Sequence, residues 1–185
     1  MLMDQLSVWT VNTPFRKWML ERWTQDYVQF FDDLVGKDVL EVGCGSGLGT
    51  KLIMKHFRHT KIVATDLDPR LISVAKKNNN NPAISFAVTN AADLPYRNDS
   101  FDGVFVYGAL HHIPFPDWQK SLAEIYRVLR PEGKAFIREA SAESFETRWG
   151  QIVKRISSHP YGKIYRRQEL LDYLRGLGFK TLYEK

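Results

Sequence analysis

Hydrophobic positions along the chain follow two rhythms. The opening segment carries apolar side chains at Phe15, Trp18, Met19, Trp23, Tyr27, Phe30, Phe31 and Leu34, the spacing of one face of an α-helix. Thr13 before Pro14 provides an N-cap followed by an N1 proline, and Gly36 marks the end of the segment. From there, short and nearly unbroken apolar runs alternate with helical patterns. DVLEVG, KIVATD, ISFAVT, FDGVFVY and KAFIREA read as strands, and residues 48–57, 70–78 and 118–129 read as helices. Strands that are apolar almost throughout and joined by helices imply a sheet buried on both faces, so the expected class is α/β, a doubly wound, mostly parallel sheet with an added N-terminal helix.

A polar, basic stretch at 141–167 breaks this rhythm. It leads to a helix at 169–177, a turn at Gly178 and a final short strand, FKTLYEK. The asparagine run at 78–81 before Pro82 reads as a turn. With 185 residues, 44% of them apolar, the chain fits one domain, 1–185. Within it, 1–36 forms a helical cap, 37–140 the core, 141–167 a variable segment and 168–185 the last helix and strand.

Cysteine usage narrows the classes. Cys44 is the single cysteine, which rules out an intrachain disulfide and a cysteine-rich zinc site and favours a reducing compartment. The N-terminal MLMDQLSVWT lacks a basic and then apolar leader, and no run approaches the roughly 20 apolar residues of a membrane span. A cytoplasmic protein without a membrane span is expected. The net charge is +5, and from residue 141 onward nine Lys and Arg face five acids. Lys154, Arg155, Lys163, Arg166 and Arg167 either meet an anionic partner or form a solvated face.

The densest chemical signal lies in VLEVGCGSGLGT at 39–50. Gly43, Gly45 and Gly47 alternate with small residues between a strand and a helix, so backbone can approach a ligand and offer N–H groups at a helix N-terminus. The dinucleotide spacing G-x-G-x-x-G fails, because Gly43 and Gly45 lead to Leu48 while Gly45 and Gly47 lead to Thr50. No G-K-[ST] follows, so a triphosphate loop fails as well. Glu41 ahead of the loop suits a ligand with a positive group; its other reading is a strand-end acid bonded to nearby backbone.

This E-x-G-x-G-x-G segment resembles motif I of the class I S-adenosylmethionine-dependent methyltransferases, and further segments over about 37–140 follow in the order of that family. The resemblance implies S-adenosylmethionine as cofactor, with Glu41, Gly43, Cys44, Gly45, Ser46 and Gly47 around its methionine part and ribose. Asp66, nineteen residues beyond Gly47, takes the position of the ribose-binding acid, with Leu67 on the adenine face, whereas Asp68 before Pro69 fits a helix cap better. TNAADLPYRNDSFDGVF resembles the segment closing over adenine, which places Asn90 and Ala91 at its edge and Asp93 in the turn. Asn-Ala followed by Leu-Pro is most like the quinone-ring C-methyltransferases of ubiquinone and menaquinone synthesis. Tyr107, ending the fourth strand, is expected beside the cofactor.

Methyl transfer from a sulfonium is dominated by positioning, and a base is needed only where the acceptor is protonated. His112 and His111 stand at the fourth-strand exit as candidate bases, although many members of the family this sequence resembles carry Leu-His-His here without a demonstrated base, and no third ligand at close spacing accompanies them for a metal. Arg138 and Glu139 end the fifth strand as bystanders that could face a substrate. The acceptor is expected between the N-terminal helix and 141–167, where Trp18, Trp23 and Trp149 either line a pocket or simply fill core. The family continues past the sixth strand into a seventh, antiparallel one, which this sequence does not reach. The expectation is a sequence cut short at its C-terminus, an open sheet edge, or an edge covered by a second copy.

The reading is therefore an enzyme methylating a small-molecule acceptor. Its alternatives are an RNA or protein methyltransferase, motivated by the basic tail, and a non-catalytic domain that binds S-adenosylmethionine to regulate a partner. YGALHH lacks the Asn-Pro-Pro-aromatic tetrad of base-amino methylation, which counts against a nucleic-acid partner.

Overall fold

A computed structural model describes residues 14–58, 60–114, 116–148, 150–151 and 165–184. Five strands form one sheet: β1 (Asp38–Val42), β2 (Lys61–Asp66), β3 (Ile84–Val88), β4 (Phe101–Tyr107) and β5 (Leu129–Arg138). Their order is β3-β2-β1-β4-β5, and every adjacent pair is parallel. The order reverses between β1 and β4, so connections diverge there and a crevice opens at the carboxyl ends of the strands.

Helices cover both faces. On one lie α1 (Pro14–Tyr27), α2 (Leu48–His56) and α3 (Pro69–Asn78); on the other lie α4 (Asp117–Val128) and the later α6 (Arg167–Leu177). A short α5 (Ala142–Glu146) follows the sheet. The pleat sorts β4 cleanly: Phe105 and Tyr107 enter the first core beside Tyr27, Phe31 and Phe57, while Val104 and Val106 enter the second beside Trp118, Leu122 and Ile125. Both faces of the strand are thus apolar, as its unbroken hydrophobic run requires.

The structure corrects two expectations. The opening helix ends at Tyr27 and continues as two 3₁₀ turns, Val28–Phe30 and Asp32–Leu34. Its buried face runs through Leu20, Thr24, Tyr27, Phe31 and Leu34, whereas Trp18 is 62% exposed. Thr24 hid this face from a purely apolar count; it can be buried because its hydroxyl donates to the Leu20 carbonyl at 2.8 Å. Thr13, the expected cap, lies outside the described residues. The expected final strand does not form: 179–184 pairs with no strand among the described residues. Its aromatic side chains dock elsewhere, Phe179 edge-on to Tyr126 with ring centroids 5.0 Å apart and Tyr183 stacked on Phe30 at 5.2 Å. Among the described residues no helix is long and apolar enough to cross a membrane.

Candidate functional site

The glycine loop joins β1 to α2 at the crevice and is tied down on three sides. The Cys44 N–H donates to the Thr65 carbonyl at 2.8 Å and the Gly45 N–H to Asp66 Oδ2 at 2.9 Å, fixing the loop to the end of β2. From α3, the side-chain amide of Asn78 donates to the Ser46 carbonyl at 3.0 Å and that of Asn79 to the Gly47 carbonyl at 3.3 Å. Loop carbonyls are thereby held on the side of α3. Gly43 has φ +72° and packs so closely on Ala109, in the loop after β4, that a Cβ would collide with the alanine methyl.

Glu41 points into the space beneath this loop and is 1% exposed. It accepts a short hydrogen bond from the Thr50 hydroxyl. Burial pushes its carboxyl up to about 8, opposed by the Thr50 bond and reinforced by the nearby Asp66 charge. The Cys44 thiol is also pushed up, chiefly by burial and then by Glu41 and Asp66, so it is a packing group and not a nucleophile. The Asp66 carboxyl is raised by burial against the lowering effect of the Asp68 and Gly45 N–H donors. Asp68 caps α3, accepting the Arg70 N–H at 2.9 Å. Its carboxyl is held low first by its bond to the Arg70 side chain. Tyr107 closes the floor: its hydroxyl is hydrogen-bonded to that of Tyr27, which donates in turn to Thr24 Oγ1 at 3.1 Å.

These groups surround a cavity of about 240 Å³. Glu41, Gly43, Cys44, Gly45 and Ser46 line it from the loop side, and Asp66 and Leu67 from β2. Asn90, Ala91 and Tyr107 line it from the ends of β3 and β4, together with His112. Two expected residues do not reach it. Gly47, at φ +82°, serves as the left-handed cap of α2 against Ala75 and Asn79, and His111 turns away. Leu20, Thr65, Thr89, Ala109, Ile113 and Pro114 also line the cavity and were not singled out from the sequence, and Asp68, expected only as a helix cap, reaches it as well. No local motif marks them, since strand-end threonines and a helix-facing leucine acquire this role only from the fold.

Residues 40–137 match the family described as a methyltransferase domain. The chain belongs to that family. Phthiotriol/phenolphthiotriol dimycocerosates methyltransferase of Mycobacterium tuberculosis is 32% identical over 146 residues, which are 79% of this chain and 52% of the relative. A fatty-acid O-methyltransferase of Mycolicibacterium smegmatis is 29% identical over 145 residues, 78% of this chain and 51% of the relative. The chain therefore spans about half the length of these relatives. A SAM-dependent methyltransferase from Aquifex aeolicus superposes with a TM-score of 0.75 at 21% identity, covering 97% of this chain and 90% of that one, a likeness of fold. The domain is a methyltransferase domain with the fold of that Aquifex enzyme.

The exit of β4 in this methyltransferase domain is shaped by Glu139, which the sequence presented as a bystander. Its Oε1 accepts the Ala109 N–H at 2.6 Å and the Leu110 N–H at 2.8 Å, and its Oε2 lies 2.8 Å from His111 Nδ1. The carboxylate is thus a structural anchor. Arg138 stacks over the Trp23 ring at 4.6 Å, which accounts for both residues away from the cavity lining. Trp18 is also off the cavity, while Trp149 lies outside the described residues. Of the basic cluster, Arg166 pairs with Glu146 at 3.4 Å and Arg167 with Glu184 at 2.8 Å on the surface. Lys154, Arg155 and Lys163 lie outside the described residues. Asp93 stays in its turn, its N–H donating to the Asn90 carbonyl at 3.1 Å. Among the described residues no group of three or more His, Cys, Asp or Glu is arranged to hold a metal.

Proposed function

We propose that this domain transfers the methyl group of S-adenosylmethionine to a small-molecule acceptor seated against Leu20, Ala109, His112, Ile113 and Pro114. The reading rests on one observation: a cavity at the strand carboxyl ends gathers a buried acid, a β2-end acid and the β4 exit turn around a glycine loop. The donor set fits the cofactor. Glu41 and Asp66 suit a ligand bearing an ammonium and two ribose hydroxyls, and the absent side chains at Gly43 and Gly45 leave room for close backbone approach. Leu67 and Ala91 offer apolar surface to the adenine, and Asn90 an amide to its edge.

When bound, S-adenosylmethionine supplies a methyl already activated by its sulfonium. The chain's own work is then to orient and to exclude water. Glu41 and Asp66 hold the two polar ends, Tyr107 limits the floor, and Leu20 brings α1 over the cavity. His112, on the cavity wall, is the candidate to take a proton from a hydroxyl or an activated ring carbon. The names of the relatives support a lipid-like acceptor, an alcohol or an acid, and the Asn90–Ala91 segment supports a quinol ring.

The test is twofold. Calorimetric titration with S-adenosylhomocysteine is expected to give a saturable site, and absence of binding at millimolar ligand would refute the cofactor site. Radiolabelled methyl transfer is then measured to a long-chain alcohol, a phenol, a fatty acid, a quinol and total RNA. Transfer to one of the four small acceptors is expected. Transfer to RNA alone, or to nothing despite tight cofactor binding, overturns the acceptor reading.

A further inference from the structure

The β4 exit turn, a 3₁₀ segment Leu110–His112 entered through Gly108 at φ +66°, contributes Gly108, Ala109, His112 and Ile113 to the cavity wall, yet a turn this short has little hydrogen bonding of its own. The Glu139 side chain anchors it. Glu139 Oε1 takes two consecutive N–H groups, Ala109 at 2.6 Å and Leu110 at 2.8 Å, while Oε2 binds the Nδ1 edge of His111 at 2.8 Å. The Glu139 side chain is 3% exposed and that of His111 14%, so the bonds form largely out of water, where a missing partner is most costly. A carboxylate oxygen accepts, so Nδ1 carries the hydrogen of this bond and the ring is held by that edge. The His111 ring packs at 4.1 Å between centroids against His112, the ring that faces the cavity.

From this we infer that Glu139 is a positioning residue for methyl transfer: through the Ala109 and Leu110 N–H groups and the His111 ring it sets the place and rotamer of His112 and of the wall against which an acceptor lies. The inference rests on the proposed function for its kinetic consequence and on the turn geometry for its structural one. Glu139 touches neither the cavity nor the reacting atoms. Its effect passes through His111 and the turn backbone. A misplacement of about 1 Å at such a wall is enough to slow transfer roughly 100-fold.

Four variants of the whole protein test it: Glu139→Gln, His111→Ala, His111→Leu and His111→Asn. Asparagine places an N–H donor close to the position of Nδ1, so it can restore the bond to Glu139 that alanine and leucine lose. The first readout is the imidazole nitrogen NMR spectrum, which needs no acceptor. His111 is expected as the Nδ1–H tautomer in the native protein, with the His112 resonances shifting in Glu139→Gln, where the His111 ring is kept, and shifting less in His111→Asn than in His111→Ala. The second is single-turnover transfer to the acceptor found by the panel above. The rate is expected to fall at least about tenfold in Glu139→Gln and His111→Ala and to recover part of that loss in His111→Asn, while the Kd for S-adenosylhomocysteine changes less than about threefold.

Unmoved His112 resonances in a folded Glu139→Gln protein would overturn the inference even if no acceptor were known. So would cofactor affinity falling in step with the rate, since the carboxylate would then merely maintain the cofactor pocket. Equal loss in His111→Asn and His111→Leu would leave the bond to Glu139 without a part and overturn it too. Failure of the proposed function looks different: no saturable cofactor binding in the native protein, with the NMR outcome unchanged.

Discussion

Asp66 and Gly45 are joined across the carboxyl edge of the sheet, the loop N–H donating to Asp66 Oδ2 at 2.9 Å while Asp66 Oδ1 takes the Asp68 N–H at the same distance of 2.9 Å. Each oxygen retains a second lone pair, so one carboxylate can shape the loop and still accept from a ligand hydroxyl. Asp66→Ala is expected to weaken S-adenosylhomocysteine binding by about 10- to 100-fold, in keeping with losing a charged acceptor worth roughly 1.5–3 kcal/mol. Asp66→Asn, which keeps one oxygen, is expected between the two. Calorimetry decides, and unchanged affinity in Asp66→Ala would remove the residue from the site.

The buried Glu41 makes stability depend on pH. Its carboxyl titrates near its ordinary value of 4.5 when unfolded and is pushed up to about 8 in the fold, chiefly by burial. Between those values the folded chain holds a proton that the unfolded chain has released, so stability falls as pH rises through that window. Glu41→Gln imitates the protonated form and flattens this dependence. Its Tm is expected to exceed the native value by more at pH 9 than at pH 5 in scanning calorimetry. An ammonium bound beside Glu41 favours the carboxylate, so cofactor binding at pH 7 is expected to release close to one proton, read from binding heats in two buffers of different ionisation enthalpy. A zero proton count would place the ammonium elsewhere.

Much of this was legible from residues, for reasons that differ by element. The strands announced themselves because both faces are buried, and β4 could read FDGVFVY only if Phe105 and Val104 entered different cores. The loop announced itself through glycines that no helix or strand would choose. The buried face of α1 stayed hidden because Thr24 sits in it and Trp18 does not, and hydrophobicity cannot see a hydroxyl satisfied by its own helix. Glu139 stayed hidden because its three partners arrive from residues 28 to 30 positions away, a distance over which no sequence pattern carries. The same holds for 179–184, whose alternation suits a strand that finds no neighbour among the described residues.

Gly49 and Gly45 separate two uses of glycine. Gly49 lies inside α2 with ordinary backbone angles, where alanine is normally better by about 1 kcal/mol. Here a Cβ would collide with Glu41 Oε1 and come within 2.8 Å of the Tyr107 ring. Gly49→Ala is therefore expected to destabilise by about 1–3 kcal/mol despite its helix propensity, as overpacking does. Gly45 has φ +55° and open space around it, so Gly45→Ala is expected to cost about 1–2 kcal/mol through the backbone alone. Adding Glu41→Asp, which shortens the colliding side chain, is expected to recover part of the Gly49→Ala loss and none of the Gly45→Ala loss in chemical denaturation.

Asn78 and Asn79 hold the glycine loop from behind, and their two bonds are not equivalent. Asn78 Nδ2 donates to Ser46 O at 3.0 Å, whereas Asn79 Nδ2 divides itself between Gly47 O at 3.3 Å and Ala75 O at 2.9 Å, the second an internal bond at the end of α3. Asn78→Ala thus removes a tie between helix and loop, and Asn79→Ala removes a tie and a helix terminus together. Asn78→Ala is expected to weaken S-adenosylhomocysteine binding about 3- to 10-fold with little change in Tm, since one neutral hydrogen bond is worth about 1 kcal/mol. Asn79→Ala is expected to lower both affinity and Tm. Because both amides act on consecutive loop carbonyls, the double variant is expected to lose less affinity than the sum of the two single losses. Full additivity in calorimetry would mean that each amide positions a separate part of the loop, and an unchanged affinity in Asn78→Ala would mean that β2, through Thr65 and Asp66, holds the loop by itself.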